Sequence, residues 1–102
     1  MKPTREVTIA TQTTNPREQR WVSLELREDG AIQMFTSDVS QTALATWGRE
    51  DYDFWVIIPP EAISLLAFEL LRERFAGRAG ATDELREFCK AGNIAHEWQS
   101  YP

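Results

Sequence analysis

The sequence predicts an α+β fold, a single-layer and mostly antiparallel sheet of about five strands with helices packed on one face, in the order β-β-β-α-β-α-α-β. Three observations predict it. The first half holds alternating, β-branched stretches such as EVTIATQTT and the two runs that flank Glu28-Asp29-Gly30. After Pro59-Pro60 the apolar period changes to that of a helix. The chain has 102 residues, 42% of them hydrophobic, enough to bury roughly 65% of its unfolded surface without a metal or disulfide staple. One domain over 1–102 is therefore expected, with 1–5 as a loose N-terminal tail.

Each element has a local reason. Over Glu6 to Thr14, alternation places Val7, Ile9 and Thr11 on one face, and Asn15-Pro16 breaks the run. Trp21 to Thr36 reads as a hairpin. A two-residue Asp29-Gly30 turn would set Leu26 opposite Gln33 and scatter the apolar side chains over both faces. A three-residue loop, Glu28 to Gly30, pairs Leu26 with Ile32, Leu24 with Met34 and Val22 with Thr36, so the apolar set shares a face. That loop is a type I turn followed by a left-handed Gly30 and a bulge.

Asp38 can cap a short helix to Trp47, with Gln41 completing a capping box and Gly48 ending it. Tyr52 to Ile58 is apolar on both faces towards its end, which suggests a central strand. Pro60 suits a helix start, Glu61 its positive end and Gly77 its stop. On that helix Leu66, Leu70, Ile63, Ala67 and Leu71 form the core stripe. Leu65 falls among Glu61, Glu69 and Arg72, so it should be exposed or at a subunit contact. Thr82 caps a shorter helix with Leu85, Phe88 and Cys89 inward, closed by Gly92-Asn93. Ile94 to Tyr101 alternates and reads as a last strand near an edge.

Charge and cysteine usage exclude whole classes. Eleven Lys+Arg against sixteen Asp+Glu leave −5, which repels phosphate backbones, and no basic face offsets it; nucleic acid is not expected as a partner. Residues 1–47 hold five basic and six acidic side chains, whereas 48–102 hold six and ten, so an acidic surface should come from the second half. The single Cys89 suits a reducing, cytoplasmic setting. Residues 1–14 lack the apolar core of a signal peptide, and the longest apolar run, Phe54 to Ile58, is far too short to cross a membrane.

No catalytic, cofactor or metal motif stands out. His96 is the only histidine, and with Cys89 it would leave a zinc ion two ligands short. His96 is better read as packed beside Trp98, and Cys89 as a small core hydrophobe. There is no Gly-rich phosphate loop and no nucleophile–base pair, so an enzyme is not expected and a small hydrolase is a distant third reading. The unusual stretch is Gly48 to Trp55, GREDYDFW. Glu50, Asp51 and Asp53 lie beside Tyr52 and Trp55, which fits either a solvated loop whose aromatics turn into the core or a surface that steers and anchors a basic partner.

Three motifs carry a resemblance: D-Y-D-F-W, L-L-x-F-E-L-L-R-E-R-F-x-G, and E-F-C-K-A-G-N-I-A-H-E-W-x-S. Over Asp51 to Ser100 the chain resembles a group of small uncharacterised bacterial proteins. The resemblance implies no activity, cofactor or catalytic residue. The expected function is that of a protein-binding module, comparable in size and acidity to bacterial antidote or immunity proteins, using Glu50, Asp51, Tyr52, Asp53 and Trp55. The alternative is a homodimeric structural or accessory protein held through the helix at 60–76.

Overall fold

The computed structural model describes residues 3–15, 18–39 and 51–101. They form four strands, β1 (Pro3–Asn15), β2 (Glu18–Arg27), β3 (Ile32–Val39) and β4 (Asp51–Ile58), a short 3-10 turn at Pro60–Ala62, and two helices, α1 (Ile63–Phe75) and α2 (Ala81–Ala91). The class is α+β. The sheet is an antiparallel meander in the order β1-β2-β3-β4. The chain divides into two compact units, 1–66 and 67–102, taken separately below.

The hairpin follows its turn chemistry. Leu26 pairs with Ile32, Leu24 with Met34 and Val22 with Thr36, the register of a three-residue loop. Gly30 sits at φ +90, and its N–H donates to the Arg27 carbonyl at 3.0 Å. The Arg27 N–H in turn donates to the Ala31 carbonyl at 2.9 Å, closing the bulge. Asp29 Oδ1 accepts from the Ala31 N–H at 2.9 Å, so the loop's own side chain holds the turn.

Burial departs from the expected one-sided pattern. Among the described residues the buried ones are Ala31, Gln33 and Thr36. Ala31 and Gln33 lie on the face opposite Leu24 and Leu26. Gln33, only 4% exposed, accepts from Arg27 Nη2 and donates to Glu25 Oε2 at 3.2 Å. A satisfied amide can be buried where an unpaired one could not. Leu26 and Met34 remain exposed.

Other expectations need correction. β1 starts at Pro3 rather than after a tail. It carries register shifts between Pro3 and Arg5, Thr8 and Ala10, and Thr13 and Asn15. The second leaves Ile9 as the extra residue, which flips the alternation and separates Val7 from Thr11. Asp38 and Val39 belong to β3 and pair with Tyr52 and Asp51, so Asp38 caps no helix; the rest of the expected helix to Trp47 lies outside the described residues. β4 is at the end of the strand order, not central. An apolar run on both faces marks a strand, but it does not say which side a neighbour covers.

In the second unit, Gly77 takes φ +76 just past α1. Helix α2 begins at Ala81 with Gly80 as its N-cap. Thr82 is thus inside the first turn rather than at the cap, while Asp83 and Glu84 occupy that turn as expected. The end is a Schellman motif: Asn93 at φ +54, its N–H on the Lys90 carbonyl at 3.2 Å, and the Ile94 N–H on the Cys89 carbonyl at 2.8 Å. Residues 94–101 form no strand. Their polar groups find local partners instead, with Gln99 donating to Glu97 at 3.1 Å and His96 Nδ1 bonding the Ile94 carbonyl at 2.7 Å.

Candidate functional site

The acidic and aromatic stretch becomes an edge strand. β4 pairs with β3 over eight consecutive positions, from Val39–Asp51 to Ile32–Ile58, without a register shift. Among the described residues no strand lies on its outer side. Every second residue of such an edge turns its backbone N–H and C=O away from the sheet, a ready template for another strand.

Alternation splits the expected site residues between the two faces. Tyr52 and Phe54 share one face and stack at 5.5 Å between ring centroids. Arg20 lies on that face too. It forms a 3.0 Å ion pair with Asp38, and its guanidinium lies 6.0 Å from the Phe54 ring centroid. Tyr52 is directly opposite Asp38. Asp53 and Trp55 share the other face, where Trp55 meets Phe35 at 5.5 Å with the rings tilted by 46°. Asp53 stands opposite Ser37. Glu50 lies outside the described residues, and Asp51 is placed by its backbone as the first residue of β4.

Sequence reasoning singled out the charges and two aromatics for the site, and assigned their apolar continuation to a covered, central strand. Trp55, Val56 and Ile57 are exposed, at 55%, 61% and 54%, so the outer half of the strand is greasy on both faces. Phe35 and Arg20 were missed, because both approach β4 from other strands. Their signal was present in the hairpin register, which extends to pair Trp21 with Ser37 and Arg20 with Asp38.

The second unit holds a different feature. Leu70, Leu71, Phe75, Leu85, Phe88 and Ile94 line an apolar groove of about 390 Å³ between α1 and α2. Cys89 belongs to its wall and is half-buried rather than in a core, and Phe88 beside it is exposed. His96 is exposed and bonds to backbone. Trp98 packs under the Arg86 guanidinium at 4.5 Å from the ring centroid, a cation–π pair that the sequence did not disclose. Arg78 Nε donates to Glu84 Oε2 at 2.8 Å, and Arg78 Nη2 also donates to Glu84. This hydrogen-bonded fork holds the Glu84 carboxyl below its usual range and raises Arg78. Among the described residues no three His, Cys, Asp or Glu side chains group closely enough to hold a metal ion. No helix there is long and apolar enough to cross a membrane.

No family model matches the chain, and neither the curated proteins nor the solved structures contain a significant match.

Proposed function

We propose that the chain is a protein-binding module that receives an extended segment of a partner along the outer edge of β4. The carrying observation is the strand itself: eight residues in unbroken register, apolar and exposed from Trp55 to Ile57, with no strand outside it among the described residues. Added strands gain affinity from main-chain hydrogen bonds and specificity from alternate side chains. Here Tyr52 and Phe54 offer one aromatic surface and Trp55 another. Asp53, with Glu50 and Asp51 before it in the sequence, adds negative charge to this stretch, which favours a basic partner and speeds encounter. The role is binding rather than catalysis, and the lone Cys89 suits action in the cytoplasm.

The test changes Glu50, Asp51 and Asp53 together to their amides and measures association with a partner captured from the native host. The variant should remain folded while association slows and loses its salt dependence. An unchanged rate and unchanged salt response would reject the site. A second reading, a homodimeric accessory protein joined through α1, is favoured by Leu65, which is 66% exposed.

A further inference from the structure

The two edges of the sheet are unlike. β1 carries three register shifts and the charged pair Arg5 and Glu6, devices that discourage a further strand. β4 has neither a shift nor a lysine or arginine, and its last five residues, Phe54 to Ile58, are an uninterrupted apolar run. Both acidic residues of the strand precede that run.

This arrangement is self-complementary. Two antiparallel copies of β4 related by a two-fold axis must place residues of the same face opposite each other. Centring the axis on Val56 sets Val56 against its own copy, Trp55 against Ile57, and Phe54 against Ile58. Every cross-strand pair is then apolar, and the flanking pairs join an aromatic to a β-branched residue, a favourable combination. Asp53 falls opposite Pro59, where the strand has ended, so no carboxylate of one copy is set against a carboxylate of the other within the paired run. Centring on Trp55 would instead oppose Asp53 to Ile57, and centring on Asp53 would oppose two carboxylates.

We propose that, when no other partner is bound, β4 pairs with the β4 strand of a second copy of this chain, about a two-fold axis at Val56. The inference rests on the reading of β4 as a strand-accepting edge and names its resting occupant. Among the described residues the product is an eight-stranded sheet, β1-β2-β3-β4-β4-β3-β2-β1, whose outer edges are the shifted β1 strands, so assembly stops at two. A basic partner has to displace the second copy. Because each copy carries −5, added salt tightens the dimer, opposite to its effect on a basic partner.

Sedimentation velocity over a wide concentration range, repeated at two salt concentrations, tests the assembly. The parent should pass from monomer to dimer, with the dimer favoured at higher salt, and go no further. Val56→Lys, which opposes two ammonium groups at the axis, should remain monomeric while keeping the parent circular dichroism. Disulfide trapping in a Cys89→Ser background tests the register. Val56→Cys should cross-link to itself, because directly opposed Cα atoms lie about 4.5–5.5 Å apart, within disulfide reach. Ile57→Cys should not, because its copy lies diagonally, at roughly 7–8 Å. A parent that stays monomeric throughout overturns the proposal, and so does cross-linking through Ile57→Cys in preference to Val56→Cys. Either result leaves the basic-partner reading to its own salt-dependence test.

Discussion

Substituting Gly30 isolates the backbone contribution of one turn. Gly30 holds φ +90, outside the comfortable range of a residue with a Cβ. A Cβ built there meets Pro60 Cβ and Cγ at 3.7 and 3.8 Å, ordinary contact distances, so crowding adds little. The cost is almost wholly conformational, about 1–2 kcal/mol for alanine. Asparagine tolerates the left-handed region better and should cost less, while β-branched valine should cost most. With a urea m-value of about 1–2 kcal/mol/M, Gly30→Ala should lower the unfolding midpoint by roughly 1 M. The expected order of midpoints is Gly30, then Asn, Ala and Val. An alanine variant as stable as the parent, or an asparagine variant less stable than alanine, would refute the argument that φ rather than packing selects glycine here.

Two further outcomes concern the helices. Arg78 holds the Glu84 carboxyl below its ordinary range, chiefly by hydrogen bonding and with partial desolvation opposing, so its contribution is present above the unfolded value near pH 4.3 and fades as pH falls through the lower folded value. Glu84→Gln should therefore be slightly less stable than the parent in urea at pH 7, and the gap should close in acid; a gap constant with pH would leave the ion pair without a role. Leu65→Lys should change stability by no more than about 0.5 kcal/mol and leave the sedimenting dimer intact, whereas loss of the dimer would move the interface from β4 to α1.

Legibility from sequence followed the range of the forces involved. The Glu28–Gly30 loop was readable to the residue because turn chemistry and cross-strand matching act over a few positions, and only one register gathers Leu24, Leu26, Ile32 and Met34. The ends of the helices were readable through Gly77 and Asn93 for the same reason. The β1 shifts were not, since an extra residue such as Ile9 reverses facing without changing composition. Nor was the fate of 94–101, where alternating residues serve equally well in an irregular chain whose Trp98 stacks on Arg86. At the site, alternation over Tyr52 to Ile58 is enough to put Tyr52 and Trp55 on opposite faces, but their exposure was not legible, because so apolar a run reads as a strand covered on both sides. The edge itself is a property of strand order, which alternation cannot report.

Assembly and stability are linked through the same strand. Among the described residues Ala31 is the one buried apolar side chain, at 4%, while Val56, Trp55 and Ile57 stay more than half exposed. Ordering a residue costs about 1–2 kcal/mol of backbone entropy, and apolar area returns roughly 25 cal/mol per Å² only when it leaves water. Pairing two β4 strands removes such area and satisfies backbone groups that point outward, so it should stabilise the folded chain by mass action. The Tm of the parent should accordingly rise with protein concentration, and that of Val56→Lys should not. Differential scanning calorimetry over a dilution series reads both. A parent Tm independent of concentration would mean that the folded chain gains nothing from a second copy, leaving β4 an open edge kept for another partner.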